Sequence, residues 1–215
     1  GYGVTEVSPI FERYCLKHAA TRVDFGGKEL NYGLARLLNA QRGYQFLDCQ
    51  INHEIDSMKR LLCYVAMNPD AESAAEKHYE LPSGEVVTVG SERYECPEAM
   101  FSSPMTTMFG KEASGIADLI NSVIVQCGID MKGPLYQNIV IAGGSTLFPG
   151  FAARLQKQVQ FLTPMSVKVH EPPQRGHAAW CGAAMLSTLS SFRDNFITAK
   201  EYEEVGPAVV HRKCA

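Results

Sequence analysis

Residues Asn138 to Gly150 read N-I-V-I-A-G-G-S-T-L-F-P-G, and this is the segment of the chain best suited to chemistry. The run Asn138–Ala142 is mostly apolar and β-branched, which predicts a buried strand. It enters Gly143-Gly144-Ser145-Thr146, and Pro149 is then expected to open an amphipathic helix. Strand, glycine turn and helix start in that order would gather backbone N–H groups at a positive helix end. That geometry suits an anion, usually a phosphate. A second reading needs no ligand, because a tight strand-to-helix turn uses glycine for its backbone angles alone.

Other reactive side chains are scattered. The seven cysteines, at Cys15, Cys49, Cys63, Cys96, Cys127, Cys181 and Cys214, are widely spaced and never form a C-x-x-C pair. That usage fits reduced thiols, several of them core residues. Cys214 reads as a surface thiol or, alternatively, a reactive one. The six histidines make no H-x-x-x-H or Cys/His cluster, which argues against a protein-built zinc site. Net charge is −3, the isoelectric point is near 6.1, and there is no basic block. Nucleic acid and anionic membrane are therefore disfavoured as main partners. No apolar run approaches the ~18 residues that a membrane span requires. An apolar share of 46% with 20% charged residues is ordinary for a chain with a real core.

The elements that would position the glycine turn follow from periodicity. Val4, Thr5, Val7 and Ile10 to Tyr14 suggest a hairpin, and Thr21–Phe25 alternates as a further strand. Gly26-Gly27 breaks into a helix with Leu30, Leu34, Leu37 and Leu38 on one face. A second helix carries Ile51, Ile55, Met58, Leu62 and Val65, and Asn68–Ala75 reads as a loop or short frayed helix. Tyr79-Glu80-Leu81 and Val86-Val87-Thr88-Val89 flank Pro82-Ser83-Gly84-Glu85, a hairpin signal. Pro97 is expected to open a short helix, and Ser102–Thr107 to form an irregular loop. Helical spacing recurs at Ile116, Leu119, Ile120, Val123 and Cys127, and again at Phe151, Leu155, Val159 and Leu162. Val167 and Val169 alternate as a strand, and His177–Leu189 is a helix of small residues. Thr198-Ala199-Lys200-Glu201 is a capping box for the last helix, which Gly206-Pro207 stops. Interleaved strands and helices make the class α/β or α+β.

The glycine turn, with its hydroxyl pair and apolar–aromatic–Pro-Gly string, resembles that of actin and the actin-related proteins. The likeness continues through Tyr79-Glu80-Leu81-Pro82 with Gly84, Glu92-Arg93, Cys96-Pro97-Glu98-Ala99, Pro172-Pro173, Arg175 and Trp180. It closes with Glu201-Tyr202, Gly206-Pro207 and Val210-His211-Arg212-Lys213-Cys214. The resemblance covers nearly the whole chain but about the second half of the family's length, so the first half is expected to be missing. It implies an α/β, actin-like (ribonuclease H-like) ATPase fold: a large lobe with a mixed sheet and flanking helices, plus an outer helical subdomain. Residues 1–26 and 112–177 would form the inner subdomain of that lobe and 27–111 the outer one. Residues 178–215 would return to the small lobe.

The resemblance also implies ATP or ADP with Mg in a cleft. Gly1 and Gly3 match the phosphate hairpin, Gly27 and Lys59 match positions beside ribose and base, and Gly143, Gly144 and Ser145 match the adenosine turn. Five positions depart from the family pattern. Tyr2 replaces an aspartate that organises metal and phosphate, and Glu6 a histidine that assists the hydrolytic water. Arg60 replaces a glutamate that accepts from ribose. Phe148 keeps a stacking ring without its hydroxyl, and Gly176 replaces a lysine lying against the adenine. Weakened nucleotide binding is the expectation, and no residue of the chain is assigned a catalytic role.

For partners, the resemblance points to a groove at Leu186, Leu189, Ser191, Phe192 and Asn195, with Tyr14 from the opposite wall. The leucines are equally readable as core residues of the C-terminal helices. The loop Phe101–Gly110 is longer and the loop after Met67 shorter than in actin, which makes an ordinary filament doubtful. The functional expectation is an actin-like cytoskeletal subunit in a larger assembly, bound to actin-binding, motor or scaffold proteins or to the missing first half. An ATP-binding subunit with slow ATPase activity, and a nuclear scaffold of chromatin-remodelling complexes, are the alternatives. Cytoplasm and cytoskeleton are the expected location, with the nucleus as the alternative.

Overall fold

The computed structural model describes residues 1–102 and 114–213. All but Ser102 of the loop expected at Ser102–Thr107, all but Phe101 and Ser102 of Phe101–Gly110, and Cys214 lie outside the described residues. The chain divides into two compact units, Gly1–Gly176 and His177–Ala215.

Unit 1 opens with short strands. β1 (Thr5–Val7) pairs antiparallel with β4 (Thr21–Val23), not with the segment that follows it. The tight hairpin is instead β2 (Ile10–Phe11) with β3 (Tyr14–Cys15), turned at Glu12 and Arg13, both at positive φ. Helix α1 (Gly27–Arg42) buries Leu30, Leu34, Leu37 and Leu38, as their spacing predicts. Each such leucine contributes about 1.5–3 kcal/mol of burial. A glycine at φ 78°, Gly43, ends the helix and donates its N–H to Asn39 O.

The second predicted helix is real but differently bounded. α2 (Asp48–Gln50) passes through a π-helical turn (Ile51–Ile55) into α3 (Asp56–Leu62). Val65 lies beyond the helix, its N–H bonded to Pro149 O at 2.8 Å. Asn68–Ala75 contains a single 3-10 turn at Pro69–Ala71. The hairpin predicted around Pro82–Glu85 joins β5 (Lys77–Glu80) to β6 (Val86–Val89).

Pro97 does not open a helix. It sits inside α4 (Glu92–Glu98), near the C-terminal end. Proline cannot bond to the carbonyl four residues back, and that carbonyl, Arg93 O, accepts from the Tyr64 N–H at 3.1 Å instead. The donor missing from the helix is thus supplied by the chain leaving α3.

α5 (Ile116–Gln126) follows its predicted spacing and packs on α7 (Phe151–Leu162). α6 (Ile129–Gln137) leads into β7 (Ile139–Val140), which pairs parallel with β8 (Val169–His170). The expected buried strand is therefore an edge strand, with Val140 63% exposed. The expected mixed sheet is corrected too: among the described residues there are four separate two-stranded ladders, three antiparallel and one parallel. Strands of two to four residues pair with one neighbour each and do not merge. One continuous core joins α1, the π-helical turn, α3, β6, α5 and α7, with Phe101 tilted against Phe151 at 5.3 Å.

Among the buried charged groups of unit 1, Arg154 and Glu98 form a pair. Arg154 donates to both oxygens of Glu98, at 3.1 and 2.8 Å, and to Ala66 O at 2.6 Å. Burial raises the Glu98 carboxyl above its ordinary pKa, against the opposing pull of Arg154.

Unit 2 holds α8 (Ala178–Thr188), α9 (Ala199–Val205) and α10 (Val209–Lys213). Thr198 and Glu201 form the expected capping box, but α9 is not the last helix: a 3-10 turn at Gly206–Ala208 leads directly into α10. Lys213 bonds to Glu201 at 2.7 Å and to Phe196 O at 2.7 Å, fastening α10 to the start of α9.

Candidate functional site

The N-terminal glycine segment, the start of α1 and the Gly143 turn come together in unit 1. Gly27 N–H donates to Gly1 O at 2.9 Å, and Lys28 N–H to Tyr2 O at 2.8 Å. The Ser145 hydroxyl donates to the same Gly1 carbonyl at 3.2 Å. Two glycines make this approach possible. A Cβ on Gly26 would lie 2.6 Å from Tyr2 O and 2.7 Å from Gly1 O, both backbone atoms. Gly143 has φ 102°, a region that side chains rarely enter, and packs against Gly1.

Lys59 closes the underside of this cradle. Its buried ammonium donates to Gly27 O at 2.9 Å, to Asp56 Oδ1 at 3.0 Å, and to Asn31 Oδ1. Three donors meet three acceptors, so the ammonium is fully engaged within the chain. Asp56 also receives Arg60 at 2.5 Å. Burial would raise the Asp56 carboxyl, but hydrogen bonding and charge from Lys59, then the charge of Arg60, leave it below its ordinary range. The role of this cluster is to fix α3 against the start of α1.

The turn itself differs from expectation. A 3-10 turn (Gly144–Leu147) follows Gly143, and α7 begins only at Phe151, after Gly150 at φ 84°. Pro149 therefore precedes the helix and does not open it. The N–H of Gly143 is bonded to Arg175 O and that of Thr146 to Gly143 O. The α7 N-terminus is thus separated from the glycine pair, and no helix end gathers N–H groups there. Gly3 and Gly144 have open space where a Cβ would point.

A family model described as Actin matches residues 1–215. The chain belongs to the actin family. Its α/β content fits the fold of that family, whose members generally bind ATP or ADP with Mg. Of the residues that the actin resemblance assigned to nucleotide, Gly1, Gly27, Lys59, Gly143 and Ser145 converge, and Gly3 and Gly144 flank them.

Phe148 does not join them as a stacking platform. Its ring is buried in the core cluster, so neither face is open to a base. Tyr2, at the position of an actin-family aspartate, is directed by its hydroxyl to Asn52 Oδ1 at 3.4 Å. Glu6 Oε1 accepts from Ser8 at 2.7 Å. Among the described residues no three His, Cys, Asp or Glu side chains cluster as a metal site would. The Lys59 ammonium is spent within the chain and the Phe148 ring is buried, so neither of these two groups is offered to a nucleotide.

Sequence reasoning missed Gly26, Asn31 and Asp56, which build the cradle. Their signals were present: a Gly-Gly pair before a helix, a polar residue among leucines on the buried face of α1, and Asp56 three residues before Lys59.

The residues expected to face a partner are divided between the units. Tyr14, 77% exposed, stands on β3 of unit 1. In unit 2, Leu186 and Leu189 are each 51% exposed and Trp180 is 74% exposed. Leu186 and Leu189 are thus not core residues of the C-terminal helices, the alternative reading of these leucines. Phe192 meets Phe196 edge-on at 5.5 Å, and Asn195 is exposed beside them. Among the described residues, no helix is long and apolar enough to cross a membrane.

Proposed function

We propose that this actin-family chain is a structural subunit that works by protein–protein contact inside a larger assembly, with nucleotide binding weakened. The observation that carries this reading is the large apolar side chains that unit 2 leaves exposed. Trp180, Met185, Leu186 and Leu189 on and beside α8 leave large apolar side chains in solvent. Only Val209 is fully buried among the described residues of that unit. An isolated soluble unit gains nothing from such exposure, whereas a partner helix or sheet packed against it recovers the burial energy. In this reading unit 2 is the small-lobe return of the fold, residues 27–111 are its outer subdomain, and 1–26 with 112–177 its inner one. The partner is an actin-binding, motor or scaffold protein, or the complementary half of the fold, in the cytoplasm at the cytoskeleton.

The spent Lys59 ammonium and the buried Phe148 ring support the weakened-nucleotide part. A second reading, an ATP-binding subunit, draws on the convergence of Gly1, Gly27, Gly143 and Ser145. The two are separated by a pulldown comparing wild type with Leu189→Asp, run with and without Mg-ATP. Loss of a defined partner in the variant, independent of nucleotide, supports the contact role. A partner set unchanged by the substitution, or efficient cosedimentation with actin filaments, overturns it.

A further inference from the structure

Two cysteines that the functional reading leaves unused meet inside unit 1. Cys63 stands at the C-terminal end of α3 and Cys96 within α4, and both are buried. Arg93 fixes their approach. Its Nε donates to Leu62 O at 2.9 Å, and its carbonyl accepts from the Tyr64 N–H at 3.1 Å. Cys63 is the residue between those two anchors, and Cys96 lies one helical turn beyond Arg93. The two thiols are hydrogen-bonded to each other.

A third group sets the direction of that bond. The Cys96 thiol donates to Leu30 O at 3.4 Å. Its one proton is committed there, so Cys63 is the donor to the Cys96 sulfur. This bond, then burial, pushes the Cys63 thiol well above its ordinary pKa. A thiolate at Cys96 keeps the hydrogen bond from Cys63, whereas a thiolate at Cys63 forfeits it. Cys96 is therefore the sulfur suited to attack, and Cys63 the one suited to follow. By contrast, Cys15 and Cys49 are exposed, and the buried Cys127 gives its thiol to Val123 O at 3.3 Å.

We propose that Cys63 and Cys96 form a reversible redox modification site, closed to a disulfide by a peroxide. The Cys96 thiolate attacks one oxygen of hydrogen peroxide and the O–O bond breaks. A Cys96 sulfenic acid remains, and the departing hydroxide takes up the proton that Cys96 lost. The Cys63 sulfur then attacks the sulfenic sulfur, the S–O bond breaks, and water leaves with the Cys63 proton. Two thiols are oxidised, and one hydrogen peroxide is reduced to two waters. Peroxide reaches the pair when the exit of α3 opens locally, so the site answers sustained oxidation. The touching thiol intercepts the sulfenic acid before a second peroxide arrives, and oxidation halts at the disulfide. The sulfurs must close to about 2.05 Å. Cys63 supplies the movement, since its backbone is already extended at φ −78° and ψ 151°, past the last turn of α3. The cross-link ties the exit of α3 to α4 and closes the intervening chain, with the β5–β6 hairpin, into a loop.

The test treats the full native chain with hydrogen peroxide, removes the oxidant with catalase, and maps thiols by alkylation, nonreducing digestion and mass spectrometry. A peptide linking Cys63 to Cys96 should appear in the monomeric chain and vanish on treatment with dithiothreitol. Cys63→Ser should trap the Cys96 sulfenic acid as a dimedone adduct, at least about tenfold above any Cys63 adduct in Cys96→Ser. The wild-type map decides the matter if either variant fails to fold. Recovery of both residues as free thiols while Cys15 and Cys49 are oxidised would overturn the proposal, as would a link formed only in urea. Dimedone on Cys63 in preference to Cys96 would overturn it too.

Discussion

Substituting Gly26→Ala tests whether the glycine cradle is held by backbone proximity. The added methyl would lie 2.6 Å from Tyr2 O, 2.7 Å from Gly1 O and 2.9 Å from Tyr2 C. None of these atoms can rotate aside, so the segment Gly1-Tyr2 must move off α1. Gly26 has φ −165°, ordinary extended backbone, so the cost is steric and not conformational. Moving the segment breaks the Gly27–Gly1 and Lys28–Tyr2 hydrogen bonds, each contributing about 0.5–1.5 kcal/mol. Residual overpacking adds about 1–3 kcal/mol. The expected loss is about 2–6 kcal/mol, read as a fall of roughly 1–3 M in urea midpoint. Hydrogen exchange should speed up at the Gly27 and Lys28 amides before other positions in α1. Gly3→Ala is the control, since nothing lies within 4 Å of its Cβ position, and it should fall within about 0.5 kcal/mol of wild type. If Gly26→Ala matches the control in both stability and exchange, the cradle is not held as described.

Two further outcomes follow from the same cluster. With the Lys59 donors spent and Phe148 buried, the purified chain should show no saturable Mg-ATP binding by calorimetry, and micromolar binding would refute this. Asp56 has a folded pKa below its unfolded one, so its contribution to stability is present above about pH 4 and disappears as pH falls through the lowered value. Asp56→Asn strands the buried Lys59 and should cost about 3 kcal/mol or more at neutral pH, with the gap to wild type narrowing in acid. A gap that stays constant in urea titrations down to about pH 2 would refute the assignment.

Much of the local structure was legible in the sequence because short-range physics writes it there. The leucine spacing of α1, the capping box at Thr198–Glu201 and the turn at Pro82–Glu85 each depend on residues a few positions apart. The family motifs were equally legible, and the match across residues 1–215 agrees with them. What only the tertiary structure decided was which groups find their partners across the chain. Pro97 is tolerated inside α4 because Tyr64 reaches the carbonyl it cannot satisfy. Lys59 is fully engaged because Asn31 and Gly27, about 30 residues away in sequence, lie against it. Ile139-Val140-Ile141 has the composition of a central strand but stands at an edge, since strand pairing depends on what else is present to pair with. Spacing along a chain fixes which side chains share a face; long-range contact fixes whether that face, or that donor, is already occupied.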